Sequence, residues 1–402
     1  MKVGILREGK KTPDKRVPLT PAQCLEVQEK FPEILIRVQP STVRCFKDEE
    51  YSAIGILVQE DLSDCDILIG VKEVKIEDFL ANKIYLFFSH TIKKQEYNRK
   101  LLQTVLDKNI QLVDYEVLTN KEGFRIIGFG RFAGLVGAYN GLRAFGLRED
   151  KFELKPAHEC NNLEEMLQHL DTVILPPIKI AVTGDGRVAG GVLEILNHMN
   201  IMRVSPEAYL GEQKLEQPVY VQLLPNNYVE RTDGEAFDLM HFFNSPEMYN
   251  NAFLQFAKAT DLLIAAAYWD TKAPVLFSAD EMKQDDFRIS VISDITCDIE
   301  GSIPSTKKAS TIDDPFYDYN PETGELQAAF TNKNNISVQA VDNLPCELPK
   351  DASLDFGRNL IDKVFPGLFG EDVDDIIKRA SITKNGKLTD RFAYLQDFAN
   401  GQ

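Results

Sequence analysis

The segment Ile178–Val204, IKIAVTGDGRVAGGVLEILNHMNIMRV, limits what this chain can fold into more than any other stretch. Ile178, Ile180, Ala181 and Val182 form a short apolar run suited to a parallel strand buried on both faces. Gly184 and Gly186 then make a tight turn, and Ala189-Gly190-Gly191 open an apolar helix that continues through Leu193, Ile195 and Leu196. Glycines set between a buried strand and a helix N-terminus let the backbone approach a phosphate, while the helix dipole and free N–H groups attract its charge. The spacing therefore predicts a Rossmann-type unit that binds a dinucleotide; the alternative is an ordinary glycine-rich βα turn. The third position of the G-x-G-x-x-G pattern is Ala189, which suffices where that position need only permit close packing.

The second strand of the unit is expected at Ile201–Val204 and should end on an acid that accepts a ribose 2′-hydroxyl. Ser205 stands there instead. Glu207 lies two residues further on, whereas Arg203 or Arg187 beside an uncharged Ser205 suits a 2′-phosphate. The residues leave NADPH or NADH open as the cofactor.

Composition removes several classes. At 402 residues and 44% hydrophobic, the chain can bury substantial cores and form two or three domains. A net charge of −17 argues against nucleic acid as a partner, because a phosphate-binding surface needs clustered Lys and Arg. Cys24, Cys45, Cys65, Cys160, Cys297 and Cys346 show neither paired nor metal-ligand spacing, so no metal site or disulfide framework is expected. The start, MKVGILREGKK, lacks a signal-type apolar core, and no apolar run reaches the roughly 18 residues of a membrane span. The expectation is a soluble cytoplasmic protein, away from membranes, acting on small molecules, its oligomeric state open and a dimer compatible.

The order of elements predicts an α/β fold of two Rossmann-like domains, the first discontinuous, with a cleft between them. Residues 1–130 alternate strands (Lys2–Arg7, Ile34–Val38, Ile67–Val71, Ile84–Phe88, Ile110–Val113) with helices at Pro21–Lys30 and Lys94–Asp107. Arg131–Phe145, small and apolar on most faces, reads as a buried helix that opens the dinucleotide domain, residues 131–344. Further strands are expected at Leu262–Ala266 and Ile289–Ile295, with an excursion of turns over Lys307–Asn335. Residues 345–402 return to the first domain with helices at Leu354–Val364 and Val373–Ala380.

Candidate catalytic residues follow strands of the first domain. Lys72 and Glu73 come after the run Asp66–Gly70, and Ser89-His90 after Ile84–Phe88, which places both at the carboxyl edge of a parallel sheet, where open α/β folds put ligands. A half-closed lysine and a histidine are suited to acid–base chemistry near neutrality, although a strand-end lysine is more often a solvated charge. Arg16, in KRVPLTP, suits a bidentate clamp on a carboxylate. Glu116, two residues past Asp114 in VDYE, is placed to tune a neighbouring lysine or to bind an ammonium group.

These motifs, YLFFSHTIKKQ, LVDYE, FRIIGFGRFAGLVGA, GVKE, ISDITCDIEGSI and VDNLPCELPKDAS, resemble those of lysine-forming saccharopine dehydrogenase. The nearest likeness is to the lysine–2-oxoglutarate reductase half of the bifunctional lysine-degrading enzyme, over nearly all 402 residues. More distantly the chain is similar to alanine dehydrogenase and the transhydrogenase nucleotide subunit. The resemblance implies that Lys72 and His90 are an acid–base pair tuned by Glu73 and Glu116, that Arg16 and Arg125 hold substrate carboxylates, and that Gly184, Gly186 and Gly190 hold the pyrophosphate. It places Asp298 and the loop Tyr268-Trp269-Asp270-Thr271-Lys272-Ala273-Pro274 near the cofactor. The implied reaction joins lysine and 2-oxoglutarate through an imine reduced to saccharopine, without the half that cleaves saccharopine. An alanine dehydrogenase and a non-catalytic nucleotide sensor remain alternatives.

Overall fold

A computed structural model describes residues 1–9, 14–211 and 216–401. The chain divides into two compact units, Met1–Phe129 with Pro349–Gln402, and Gly130–Leu348. In the first unit, short aliphatic runs form β1 (Lys2–Ile5), β2 (Leu35–Val38), β3 (Leu57–Val58), β4 (Ile67–Ile69), β5 (Ile84–Phe87) and β6 (Gln111–Asp114). They lie in the order β6-β5-β4-β1-β2-β3 and pair in parallel throughout. Ile67, Ile69 and Leu86 face a core that includes Phe356, Leu360 and Val364. Leu68, Tyr85 and Phe87 face another that includes Leu101, Leu102 and Phe398. Burial on both faces is why these strands read as apolar runs and not as alternation.

The return segment differs from the expected pair of helices. A helix spans Pro349–Asn359, runs into a π-helical turn at Leu360–Val364 and continues as a short helix at Phe365–Phe369, and the helix after that covers only Ile376–Ala380. Two strands then follow, Ser381–Lys384 and Lys387–Leu388, and they extend the sheet antiparallel beyond β6. The turn between them is Asn385-Gly386, both at positive φ, the two-residue hairpin turn that matches strand twist. That Asn-Gly pair is the signal the helical expectation lacks.

In the second unit, β7 (Lys179–Thr183), β8 (Met202–Arg203), β9 (Val219–Leu223) and the strands Leu262–Ala265, Val291–Asp294 and Ile336–Gln339 are mutually parallel. The strand expected at Ile201–Val204 is present as β8, and the sheet order sets its place. The strand beside β7 is β9, and β8 lies one place further out. Val219–Leu223 is largely buried, whereas Met202 and Arg203 are exposed, so the more apolar strand takes the inner place. Lys307–Asn335 is also more than turns. Phe316–Tyr319 is a buried strand antiparallel to Ile336–Gln339, and Leu326–Gln327 pairs with it. The Ser337 hydroxyl donates to the buried Asp318 carboxylate at 2.6 Å, which lets a charged residue sit inside that strand.

The helix Gly130–Arg148 packs against the helix Arg187–His198 that follows β7. A Cβ on Gly134 would stand 1.9 Å from the Val188 carbonyl oxygen, and one on Gly191 would stand 2.1 Å from that of Arg131. The helices thus meet backbone to backbone, and the contact tolerates no side chain at either position. Gly190, one residue earlier, has nothing within 4 Å of its notional Cβ. Gly191→Ala should therefore cost about 1–3 kcal/mol through overpacking. Gly190→Ala should leave stability unchanged or raise it by about 0.5–1 kcal/mol through helix propensity. Urea unfolding of the two variants checks the contrast.

Candidate active site

Four parallel strands of the first unit bring their carboxyl ends to one edge, and the candidate residues lie just beyond them. The β4–β5 pairing continues past the strands: Gly70 donates its N–H to the Leu86 carbonyl and Phe88 to that of Val71, both at 3.0 Å. Lys72 and His90 consequently leave adjacent strands within a residue or two of the last ladder bond. His90 has φ of 56°, left-handed backbone that costs a non-glycine residue about 1–2 kcal/mol.

The His90 ring lies between two carboxylates. Its Nδ1 is 3.3 Å from Glu116 Oε2 and its Nε2 is 3.6 Å from Glu73 Oε1. All three side chains are mostly buried, 18% exposed for His90, 9% for Glu73 and 12% for Glu116. Glu116 also meets Lys93 Nζ and the Arg125 guanidinium, each at 3.4 Å, and its backbone carbonyl accepts from Arg125 Nε at 3.0 Å. Burial works against its ionised form, but the His90 hydrogen bond and the Lys93, His90 and Arg125 charges hold the carboxyl down at about 2.

Two further carboxylates reach into the strand-end loops. Glu8, beyond β1, accepts from the backbone N–H groups of Val71 at 2.7 Å and Lys72 at 2.9 Å. Asp114, at the end of β6, accepts from Ser89 N–H at 3.1 Å, from the Ser89 hydroxyl, and from Glu116 N–H at 2.7 Å. Desolvation pushes Glu8 up to about 7, with Asp14 adding repulsion, and pushes Asp114 up to about 6. Glu8 has no place in the sequence reading; its signal was an acid just past a strand that neighbours a candidate strand.

Arg16 is almost wholly buried and forked on Asp14, through Nε at 3.0 Å and Nη2 at 2.6 Å. Its guanidinium lies 4.0 Å from the Phe129 ring centroid, and Phe129 stacks on Phe356 at 4.5 Å. The Val17 N–H donates to Ser353 Oγ at 2.9 Å. Phe356 and Ser353 come from the return helix, so the far end of the sequence buttresses Arg16. Arg125 is partly exposed and sits on Glu116.

In the second unit, Gly184 has φ of +92°, and a Cβ there would stand 2.9 Å from the Ala267 Cα. Gln222, on β9, donates to the Gly184 carbonyl at 2.9 Å and pins the turn. Gly186 precedes the helix that starts at Arg187, and notional Cβ atoms on Gly186 and Gly190 meet nothing within 4 Å. Bare glycines over open space at the N-terminus of a twelve-residue helix fit a pyrophosphate group. Ser205 lies just past the end of β8. It caps the helix Pro206–Leu210, accepting from Ala208 N–H at 3.2 Å, and Glu207 is held low by a backbone hydrogen bond and by the Ser205 hydroxyl. The position beside β7 belongs to the end of β9, followed by Leu224-Pro225-Asn226-Asn227.

Asp298 is exposed, and its carbonyl accepts from Gly301 N–H at 2.9 Å. The buried carboxylate of that loop is Asp294, which accepts from the Thr296 and Thr306 hydroxyls, each at 2.7 Å. The Tyr268–Pro274 loop, with Thr183, Pro225, Tyr228 and Phe242, lines an apolar pocket of about 110 Å³ at the ends of β7 and β9. Among the described residues, Cys160, Glu165 and His169 bring metal-ligating atoms within 4.8 Å, but Lys155 Nζ already stands 2.6 Å from Glu165. No helix among the described residues is long and apolar enough to cross a membrane.

The fold is that of alanine dehydrogenase. A solved L-alanine dehydrogenase superposes with a TM-score of 0.65 at 14% identity, covering 100% of this chain and 99% of that one. Residues 4–136 match the family described as alanine dehydrogenase/PNT, N-terminal domain. In sequence the chain is a relative of the lysine-forming saccharopine dehydrogenases and the alpha-aminoadipic semialdehyde synthases. It is 30% identical over 437 residues to alpha-aminoadipic semialdehyde synthase of Arabidopsis thaliana, matching 98% of this chain and 41% of that protein. It is 25% identical to saccharopine dehydrogenase (NAD(+), L-lysine-forming) of Emericella nidulans, over 89% of each. The chain thus spans less than half the length of the plant relative.

The depressed Glu116 carboxyl makes a stability prediction. A folded value of about 2 below an ordinary 4.5 contributes stability above pH 4.5 that is lost as pH falls toward 2. Glu116→Gln should therefore be less stable than the parent by on the order of 1–3 kcal/mol at pH 6, with the difference shrinking below pH 4.5. Denaturant midpoints measured from pH 6 to pH 3 check the sign.

Proposed function

We propose that this chain uses a nicotinamide dinucleotide to reduce the imine formed between lysine and 2-oxoglutarate, giving saccharopine, and catalyses the reverse. The observation that carries this reading is His90 between Glu73 and Glu116 at the strand edge that also bears Lys72, in a chain related along most of its length to lysine-forming saccharopine dehydrogenases. The chemistry needs three proton events: the amine must lose a proton to attack, the carbinolamine hydroxyl must gain one to leave, and the nitrogen must end protonated. His90, held by a carboxylate at each ring nitrogen, is assigned one of these proton transfers. Lys72 is the second proton carrier.

Arg16, fixed by Asp14 and Phe129, and Arg125, fixed by Glu116, are assigned to the substrate carboxylates, and rigid cations of this kind align the imine for attack. Gly184, Gly186 and Gly190 hold the pyrophosphate. When bound, the nicotinamide supplies the hydride for reduction and accepts it in reverse. NADH and NADPH both suit the uncharged Pro225-Asn226-Asn227 segment at the end of β9; Arg187, Arg203, Ser205 and Asp298 remain candidates for cofactor contact from their own positions.

Purified protein should oxidise NADH or NADPH with lysine and 2-oxoglutarate; oxidation with pyruvate and ammonia, and none with lysine, would replace this reading by alanine dehydrogenase. Lys72→Met and His90→Gln should each lower turnover by about 10²–10⁴ with cofactor affinity little changed. Gly186→Val should weaken cofactor binding by at least about tenfold in a chain that still folds, because the new side chain enters space no protein atom fills. Calorimetric titration with NADH and NADPH reads the last outcome.

A further inference from the structure

We propose that Glu8 and Asp114 are the positioning residues of this site, each reaching sideways from its own strand to hold the loop that leaves the strand beside it. The inference rests on the acid–base reading above and adds to it the groups that place Lys72 and His90. The sheet order makes the arrangement: β5 and β4 are the inner pair, with β6 outside one and β1 outside the other. Glu8, after β1, takes the Val71 and Lys72 N–H groups after β4. Asp114, ending β6, takes the Ser89 N–H and hydroxyl after β5 and also the Glu116 N–H, so one carboxylate sets both partners of the His90–Glu116 contact.

Simple donor satisfaction does not call for this choice of residue. A backbone carbonyl or a water would accept from the same N–H groups without the desolvation that raises Glu8 and Asp114. A carboxylate gives shorter, stronger bonds to several donors at once and fixes their geometry. His90 shows what that fixity holds. Its left-handed backbone directly follows Ser89, and a strained non-glycine conformation persists only where its surroundings over-determine it. Neither carboxylate is assigned a proton transfer; each acts through the loop that it grips.

The test uses the full chain with lysine, 2-oxoglutarate and nicotinamide cofactor, comparing Glu8→Gln and Asp114→Asn with His90→Gln. Deuterium uptake is followed in peptides covering residues 70–73 and 88–91. Glu8→Gln should speed exchange in the first peptide and Asp114→Asn in the second, each leaving the other near the parent. In both variants kcat should fall by about 10–10²-fold while cofactor Kd stays within about two-fold, as expected for misplaced rather than missing groups. If either variant does not fold, Glu8→Asp, which keeps the charge and shortens the reach, or Ser89→Ala takes its place with the same local expectation. Parent-like kcat and exchange in the folded variants, with His90→Gln inactive, would overturn the proposal, as would lowered stability with undiminished kcat. If His90→Gln keeps full turnover, the acid–base reading is what fails, and the locality of exchange alone then decides whether the two carboxylates hold the loops.

Discussion

Parallel pairing is the constraint on which the candidate site depends. In a parallel sheet every strand ends on the same edge, so Ile5, Ile69, Phe87 and Asp114 deliver Glu8, Lys72, His90 and Glu116 to one place from distant parts of the chain. The pairing is held by burial on both faces, by the Phe356–Val364 cluster on one side and the Leu101–Phe398 cluster on the other. Beyond the last ladder bond the backbone N–H groups still need acceptors, and here acidic side chains supply them. Scaffold and chemistry therefore meet at the strand ends.

The carboxylates at this edge are one kind of group driven in opposite directions by their surroundings. Glu8 and Asp114 rise because burial dominates and their compensation comes mainly from uncharged donors. Glu116 falls because His90, Lys93 and Arg125 surround it with positive charge that outweighs burial. Glu116 thus stays ionised across any working pH and holds the histidine and the cations in place. Divergent carboxyl environments within a few residues are a common property of sites that handle protons.

In the second unit the glycines divide the work. Gly184 is required by its backbone and by Ala267, Gly134 and Gly191 by the meeting of two helices, whereas Gly186 and Gly190 at the helix start stand over open space. A pattern of glycines in sequence does not separate these roles, since all of them lack a side chain for different reasons. The strand order adds a second distinction. With β9 between β7 and β8, the residues expected to read the ribose sit one strand away from the glycine turn, and Ser205 is occupied as a helix cap.

Local pattern alone determined much of this molecule. Buried apolar runs of four or five residues, the strand–glycine–helix unit at Ile178–Val204, and polar residues just past strand ends carry their meaning in adjacent positions, because hydrophobic burial and turn geometry act over a few residues. Tertiary structure decided whatever depends on which strand neighbours which. It put β9 beside β7, made Phe316–Tyr319 and the Asn385-Gly386 hairpin into sheet, brought Phe356 and Ser353 under Arg16, and set Glu8 against Lys72. Those pairings join residues tens to hundreds of positions apart. Their energies come from contacts that exist only once the sheet has formed, so no window of sequence contains them.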